Sequence, residues 1–443
     1  MSVMWTRFWF SPTRPELLGF GRVLLCGALL LDALLHSFSI WADMAEVFYT
    51  PAFPNSLFGV PSYGACRVVE FVWKCALLGA TLGFYTRWSV FLSALLGTYV
   101  LSLPLNYYGF GYPGNHHYHS AVIILWILAL SRCGDAFSVD AWRGKREEAP
   151  SGDYTWPVRL VWVTLSCMFF AAGLTKLRVS GWAWVSAENF RLSLLNRYYF
   201  KSADPLTDWG LWASQSATLC YSLALLTLIF ELTYPLGMIA GLRPRSNWRW
   251  MVLIPGGMVS SIIVIWFLMG HNFWLVVVAH VFWWPQKVYP EEGSTPPKGK
   301  VVAVCAFLVI ALGSAADTLF LKDHFPFSCY SMYSTIKRGE THSRYLLYGV
   351  DESGEERMLQ NRQAAPPGNP SLNRSFLHRA WKALKKDPDR LKLGLKDCLR
   401  RYNDLGFRLV SLRLYECRWT FDHKLTDLHD PERTLVSEYN PGP

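Results

Sequence analysis

The chain has 443 residues, of which 51% are hydrophobic and 16% aromatic, with 21 tryptophans and only 17% charged residues. Soluble domains average about 25% charged residues, so this deficit and a mean hydropathy of +0.16 argue against an ordinary water-soluble globule and for a multi-pass membrane protein. The net charge of +10 is modest for this length. Basic residues at cytoplasmic membrane edges account for it, and no nucleic-acid partner is called for.

The N-terminal stretch MSVMWTRFWFSPTRPELLGFGR has no short apolar core followed by a small-residue cleavage site, so the first apolar helix is expected to act as its own signal. A crossing needs roughly 20 apolar residues. Eight stretches qualify: about 16–40, 66–85, 88–106, 117–132, 156–177, 212–240, 249–269 and 301–320. A ninth, HNFWLVVVAHVFWWP (271–285), is short, yet the topology closes only if it completes a return crossing. The expected fold is an all-α multi-pass membrane bundle of eight to nine helical segments over residues 1–320. A small α+β extracytoplasmic domain follows over 321–443.

Loop charges set the orientation. Arg7, Arg14, Arg143, Lys145, Arg146, Arg243, Arg245, Arg249, Lys287, Lys298 and Lys300 mark one side as inside. Segments 41–65, 107–116, 178–211 and the tail then lie outside. Segment 178–211 breaks the rule with Arg178, Arg191, Arg197 and Lys201, which implies a local use for those charges. Within it, VSAENFRLSLLNRYYF (185–200) places Phe190, Leu194 and Tyr198 on one face, the pattern of an amphipathic helix lying flat at the interface.

In the tail, RYLLYGV and RMLQN flank DESGEE as a hairpin. PPGNPSLN reads as a linker and helix start. SFLHRAWKALKKDPDRLKLGLKDCLRRYNDLG gives two helical pieces broken at Pro388, and FRLVSLRLYECRWTFD alternates as a strand. The ten cysteines show no CxxC spacing. An outside tail leaves room for one disulfide among Cys329, Cys398 and Cys417, with the pair left open.

Ionisable groups within apolar helices need partners or a purpose. Asp32–His36 and Glu70–Lys74 are each four apart and share a helix face. We read Glu70–Lys74 as a structural pair, whereas Asp32–His36 is open to either reading. The cluster GNHHYHS carries His116, His117 and His119, but helical spacing puts only His116 and His119 on one face, so a metal is not expected. Hydrogen bonding to an anionic ligand, proton transfer, or a plain wetted surface remain for these imidazoles. Lys176 ends the fifth span on the same side. It either snorkels to the membrane surface or sits buried as a desolvated amine able to accept a proton. Glu231 and His271 are further polar groups in or near spans.

Three stretches carry a resemblance: AAGLTKLRVSGWAW; NHHYHS followed by ILALSRCGDAFSVDAW; and FELTYPLGMIAGLRPRS. Over roughly residues 5–290 the chain resembles the horizontally transferred transmembrane (HTTM) domain family, to which vitamin K-dependent gamma-glutamyl carboxylase and its bacterial relatives belong. The resemblance implies that Lys176 is the base that deprotonates a lipid hydroquinone of the vitamin K or menaquinol type. The carboxylase Asn-His element falls on Asn115-His116 or His116-His117, and counting back from Ser138-Val139-Asp140 favours His117. By the same resemblance His116, Asn115, His119, Arg178, Arg191 and Trp182 are binding candidates, with Arg178 or Arg191 set to hold an acidic peptide. Thr175 stands where carboxylases carry a second lysine, and the short tail replaces their large lumenal region. The resemblance also implies a bacterial inner-membrane location.

Two functions fit these features: a quinol-dependent membrane enzyme acting on an extracytoplasmic peptide or small molecule, and a non-enzymatic membrane partner in the maturation of a secreted peptide. A third, a transporter using Asp32 and Glu231, is disfavoured because the sequence shows no internal repeat.

Overall fold

The computed structural model describes residues 3–107, 116–144, 149–200, 207–240, 248–270, 273–331, 333–337, 341–359, 380–420 and 431–441. In chain order its helices are α1 (Val3–Phe10), α2 (Glu16–Leu35), α3 (Tyr63–Leu82), α4 (Thr86–Val100), α5 (His116–Ala129), α6 (Val139–Gly144), α7 (Thr155–Ser180), α8 (Ala187–Phe200), α9 (Trp209–Ser214), α10 (Ala217–Ala240), α11 (Trp248–Met269), α12 (Trp274–Ala279), α13 (Lys300–Phe320) and α14 (Pro388–Asp404). The strands are β1 (Thr341–Asp351), β2 (Glu356–Met358), β3 (Leu409–Thr420) and β4 (Glu432–Tyr439).

Each of the eight long apolar stretches forms a helix, as expected: α2, α3, α4, α5, α7, α10, α11 and α13. Among the described residues five helical segments are long and apolar enough to cross a membrane, namely Glu16–Asp43, Thr86–Asn106, Gly152–Val185, Ala217–Met238 and Lys300–Phe320. α7 is buried on nearly every face, the signature of a central helix. α1, α5, α10 and α13 pack around it.

The ninth apolar stretch is a broken return. α12 is followed by a 3-10 turn, His280–Trp283, and then by extended chain. Trp283 stacks on Trp162 at 4.3 Å, and Trp162 Nε1 donates to Phe282 O at 2.7 Å. α2 approaches this turn closely, and a Cβ on Gly21 would lie 2.3 Å from the Phe282 ring. The chain then reaches the start of α7, where the Lys298 and Gly299 amides donate to Asp153. This segment therefore runs the length of the body without being a full helix.

In the tail the hairpin, the strand and the break at Pro388 all form as read. Asp387 caps α14 by accepting from Arg390 N at 3.1 Å, and Pro388 sits where a helix tolerates proline. The antiparallel sheet has the order β2-β1-β3-β4. None of Cys329, Cys398 and Cys417 is bridged. Among the described residues the tail's core is shared with the helical body. Trp381, Leu395, Tyr402, Leu347 and Leu412 share one buried cluster with Trp41, Phe48 and Leu103 of the helical body. Arg401 Nη1 reaches Asp43 Oδ2 at 3.1 Å and Arg390 Nη2 donates to Val47 O at 2.7 Å. Chain order divides near residue 320, whereas the hydrophobic core does not.

Candidate functional site

Lys176 sits one turn before the end of α7 and is buried. Its Nζ lies 2.7 Å from Oε1 and 2.9 Å from Oε2 of Glu231, on the facing helix α10. The sequence reading took Lys176 either as a surface amine or as a lone desolvated one; the geometry instead gives it a two-point ion pair. Desolvating two charges is costly and is offset only by close, well-aligned contact. Gly173, one turn earlier, makes the approach feasible, since a Cβ there would lie 3.1 Å from Glu231 Cβ and Leu232.

The pair opens on a cavity of about 110 Å³. Met168, Phe169, Met258, Ile262, Met269 and Val276 make most of the wall apolar. The polar contributions come from Lys176, Glu231, His116, Asn189, Ser193, Thr227, Ser261 and the tyrosines Tyr330 and Tyr333. Trp184 covers the ammonium, its ring centroid 5.4 Å from Nζ. Asn189 Nδ2 fixes that tryptophan by donating to Trp184 O at 2.8 Å.

His116 opens α5 and lines the same cavity. Ser328 donates to Asp323 Oδ1, so the Ser328 lone pair faces His116 Nδ1, 3.1 Å away, and fixes a proton there. Asp323 also accepts from Cys329 N at 3.1 Å. His119 stands behind His116, with ring centroids 5.3 Å apart, its Nδ1 3.1 Å from Phe327 O and its ring edge-on to Phe325. His117 is in the first turn of α5, but its side chain lies outside the described set, as do Asn115, His271 and Lys201 entirely. Among the described residues no three His, Cys, Asp or Glu side chains are grouped to hold a metal ion.

The charges of segment 178–211 have local uses. Arg178 donates to Thr318 O and, at 3.0 Å, to Leu319 O, closing the end of α13. Arg191 lies 3.7 Å from Glu188, and Arg197 Nε donates to Tyr333 Oη at 2.7 Å. Trp182 is 74% exposed, so the tryptophan at the site is Trp184 and not Trp182. α8 was expected to lie flat at a membrane surface. Instead it is covered on two sides, by the cluster of Trp184, Ala213 and Leu228 at Phe190 and Leu194, and by Trp419 of the tail at Leu192 and Leu195.

Two sequence signals used for the resemblance fall into structural roles. Asp140 accepts from Thr86 N at 2.6 Å and Tyr85 N at 3.1 Å, tying the start of α4, and Ser138 Oγ accepts from Ala141 N at 2.9 Å to cap α6. Thr175 Oγ1 donates to Cys329 O at 2.8 Å and so holds the segment that carries Ser328. His280, which the sequence reading passed over, is buried next to the cavity, with Nδ1 2.7 Å from Val276 O and Nε2 3.0 Å from Tyr234 Oη. No protein-family model, no curated protein and no solved structure matches the chain.

Proposed function

We propose that the protein is a multi-pass membrane enzyme of the HTTM type, set in the bacterial inner membrane with its tail outside. In this reading it uses a lipid hydroquinone in the Lys176 cavity to modify an extracytoplasmic peptide or small molecule. The observation that carries the reading is an apolar cavity whose wall presents one buried lysine–glutamate pair and one tautomer-fixed imidazole. Intramembrane ionisable groups of this kind are functional by default. The lining fits the ring: methionine, phenylalanine and isoleucine faces suit an aromatic plane, and Lys176, Glu231 and His116 offer partners for its oxygens.

A bound hydroquinone would supply an acidic hydroxyl and a reducing ring. The chain's own part is proton management. Lys176 donates to both oxygens of Glu231, so it can pass its own proton to the carboxylate and, as the neutral amine so formed, take one proton from a hydroxyl in the cavity; the pair accepts one proton in all. His116, with its Nδ1 proton held by Ser328, turns Nε2 into the acceptor. Trp184 and Phe190 keep water from the pair.

The test uses full-length protein purified in mild detergent. Solvent extraction and mass spectrometry should find an isoprenoid quinone at near-stoichiometric amount. In aerated buffer, with dioxygen as the electron acceptor, chemically reduced naphthoquinone should be consumed faster than without the protein, and Lys176→Met should lower that rate by roughly 10²–10⁴-fold while quinone still co-purifies. Absence of bound quinone, together with indifference of the thermal midpoint to added naphthoquinol, ends the proposal.

A further inference from the structure

At the end of the body remote from Lys176, about 30 Å along α7, a recess opens between the start of α2, the turn after α5 and the extended chain after α12. It is an open recess of about 470 Å³, with Arg14, Phe20, Phe137, Trp284 and Lys287 in its lining. Its chemistry is two-sided. Arg14 and Lys287 both stand over the Tyr289 ring, 5.4 and 5.1 Å from its centroid. Two cations therefore share one aromatic platform. That platform is held in place because Tyr289 N donates to Pro12 O at 2.9 Å, beside the stretch that carries Arg14. The recess has one carboxylate, Glu16, which is 3.9 Å from Arg14, and both partners are half exposed. Such a contact is weak and leaves the guanidinium able to bind an anion.

The other side is apolar and open. Phe20, Phe137 and Trp284 are 43%, 58% and 72% exposed, and the two phenylalanine rings meet at 6.1 Å. A free phosphate would use the cations and leave these rings bare. Charge above an apolar floor complements an amphiphile. We propose that this recess binds an anionic phospholipid, with its phosphate between Arg14 and Lys287, its acyl chain along Phe20 and Phe137, and Trp284 at the boundary between them. The inference rests on the membrane reading above and is independent of the quinone.

The test is native mass spectrometry of the full chain in detergent, offered equal phosphatidylglycerol and phosphatidylcholine of the same chain length. A cation near a membrane surface contributes about a factor of five, so the wild type should prefer phosphatidylglycerol by on the order of 10- to 30-fold. Arg14→Gln/Lys287→Gln should lose that preference while keeping its elution volume and tryptophan emission. Lys287→Glu alone should lower it by more than half. An unchanged preference in the double variant overturns the site, and displacement of the lipid by millimolar inorganic phosphate overturns the amphiphile. Recovery of the chain from cells without detergent would instead sink the membrane reading, so the two failures are separable.

Discussion

Among the described residues two lysine–glutamate pairs sit in the helical body, and they differ in what surrounds them. Lys74 and Glu70 are four apart on α3, with Nζ to Oε1 at 2.6 Å, and Glu70 Oε2 also accepts from Ser39 N at 2.7 Å. Ser37 Oγ also donates to that oxygen at 3.4 Å, so the carboxylate ties α3 to the turn at Ser39. Lys176 and Glu231 belong to different helices and border open space. A local pair can satisfy itself wherever its helix goes. A pair between helices exists only while both helices hold position, so its energy is tied to the cavity's shape.

The largest effect is expected where the comparison is broken at its buried end. Glu231→Ala leaves a buried ammonium without its carboxylate, which should cost about 3–5 kcal/mol and lower the thermal midpoint in detergent accordingly. Lys176→Met/Glu231→Leu removes both charges and should recover most of that loss. A double variant as unstable as the single one would show that the ion pair does not set the stability here. Next comes the approach of the helices. Gly173→Val pushes α7 from α10 at Glu231 and Leu232. Overpacking of this kind costs about 1–3 kcal/mol and should abolish quinone co-purification with Lys176 and Glu231 both intact. At the local pair, Glu70→Ala orphans the Ser39 amide and should cost about 1–2 kcal/mol and, under the quinone proposal, should leave quinone recovery as in the wild type. Loss of quinone in that variant would erase the distinction between the two pairs.

The same contrast explains what was legible in the sequence. Helices announce themselves through long apolar stretches, and i, i+4 pairs through spacing, so the eight long helices and Glu70–Lys74 could be read directly. Asp32–His36 also forms, at 3.1 Å, but its second tie, Tyr118 Oη donating to Asp32 Oδ2 at 2.7 Å, spans 86 positions and leaves no local trace. Glu231 is 55 positions from Lys176 and looked like an isolated carboxylate for the same reason. Arg22 is a further case. It is fully buried and donates to Cys133 O at 3.1 Å and to Phe137 O at 2.6 Å, closing helix ends that only tertiary packing brings together. β4 went unread because its face is largely exposed and shows no alternation of burial. α8 was misplaced because only one of its apolar faces was counted; the second, Leu192 and Leu195, meets a tryptophan from the tail. Chemistry carried by one element is visible in sequence, and chemistry made between elements is not.

A third lysine–glutamate pair sharpens the scale at its weak end. Lys385 Nζ lies 3.3 Å from Glu416 Oε2 on the tail, with side chains 47% and 21% exposed. Burial alone would raise the Glu416 carboxyl, but the hydrogen bond and charge of Lys385 outweigh it and hold that carboxyl below its ordinary value. The hydrogen bonds to Tyr345 and then Glu416 raise the Lys385 ammonium. A depressed carboxyl contributes stability above its unfolded pKa and loses it as pH falls through the folded one. A raised ammonium contributes below its unfolded pKa and loses it as pH climbs through the folded one. The pair therefore acts between about pH 4.5 and pH 10.5. Lys385→Ala should cost less than about 1 kcal/mol from pH 5 to 9, shrink with added salt, and cost progressively less as pH falls below about 4.5. A penalty that did not shrink on acidification would mean that Lys385 acts through packing on Tyr345, whose ring centroid is 5.5 Å from Nζ, and that exposure does not order the three pairs.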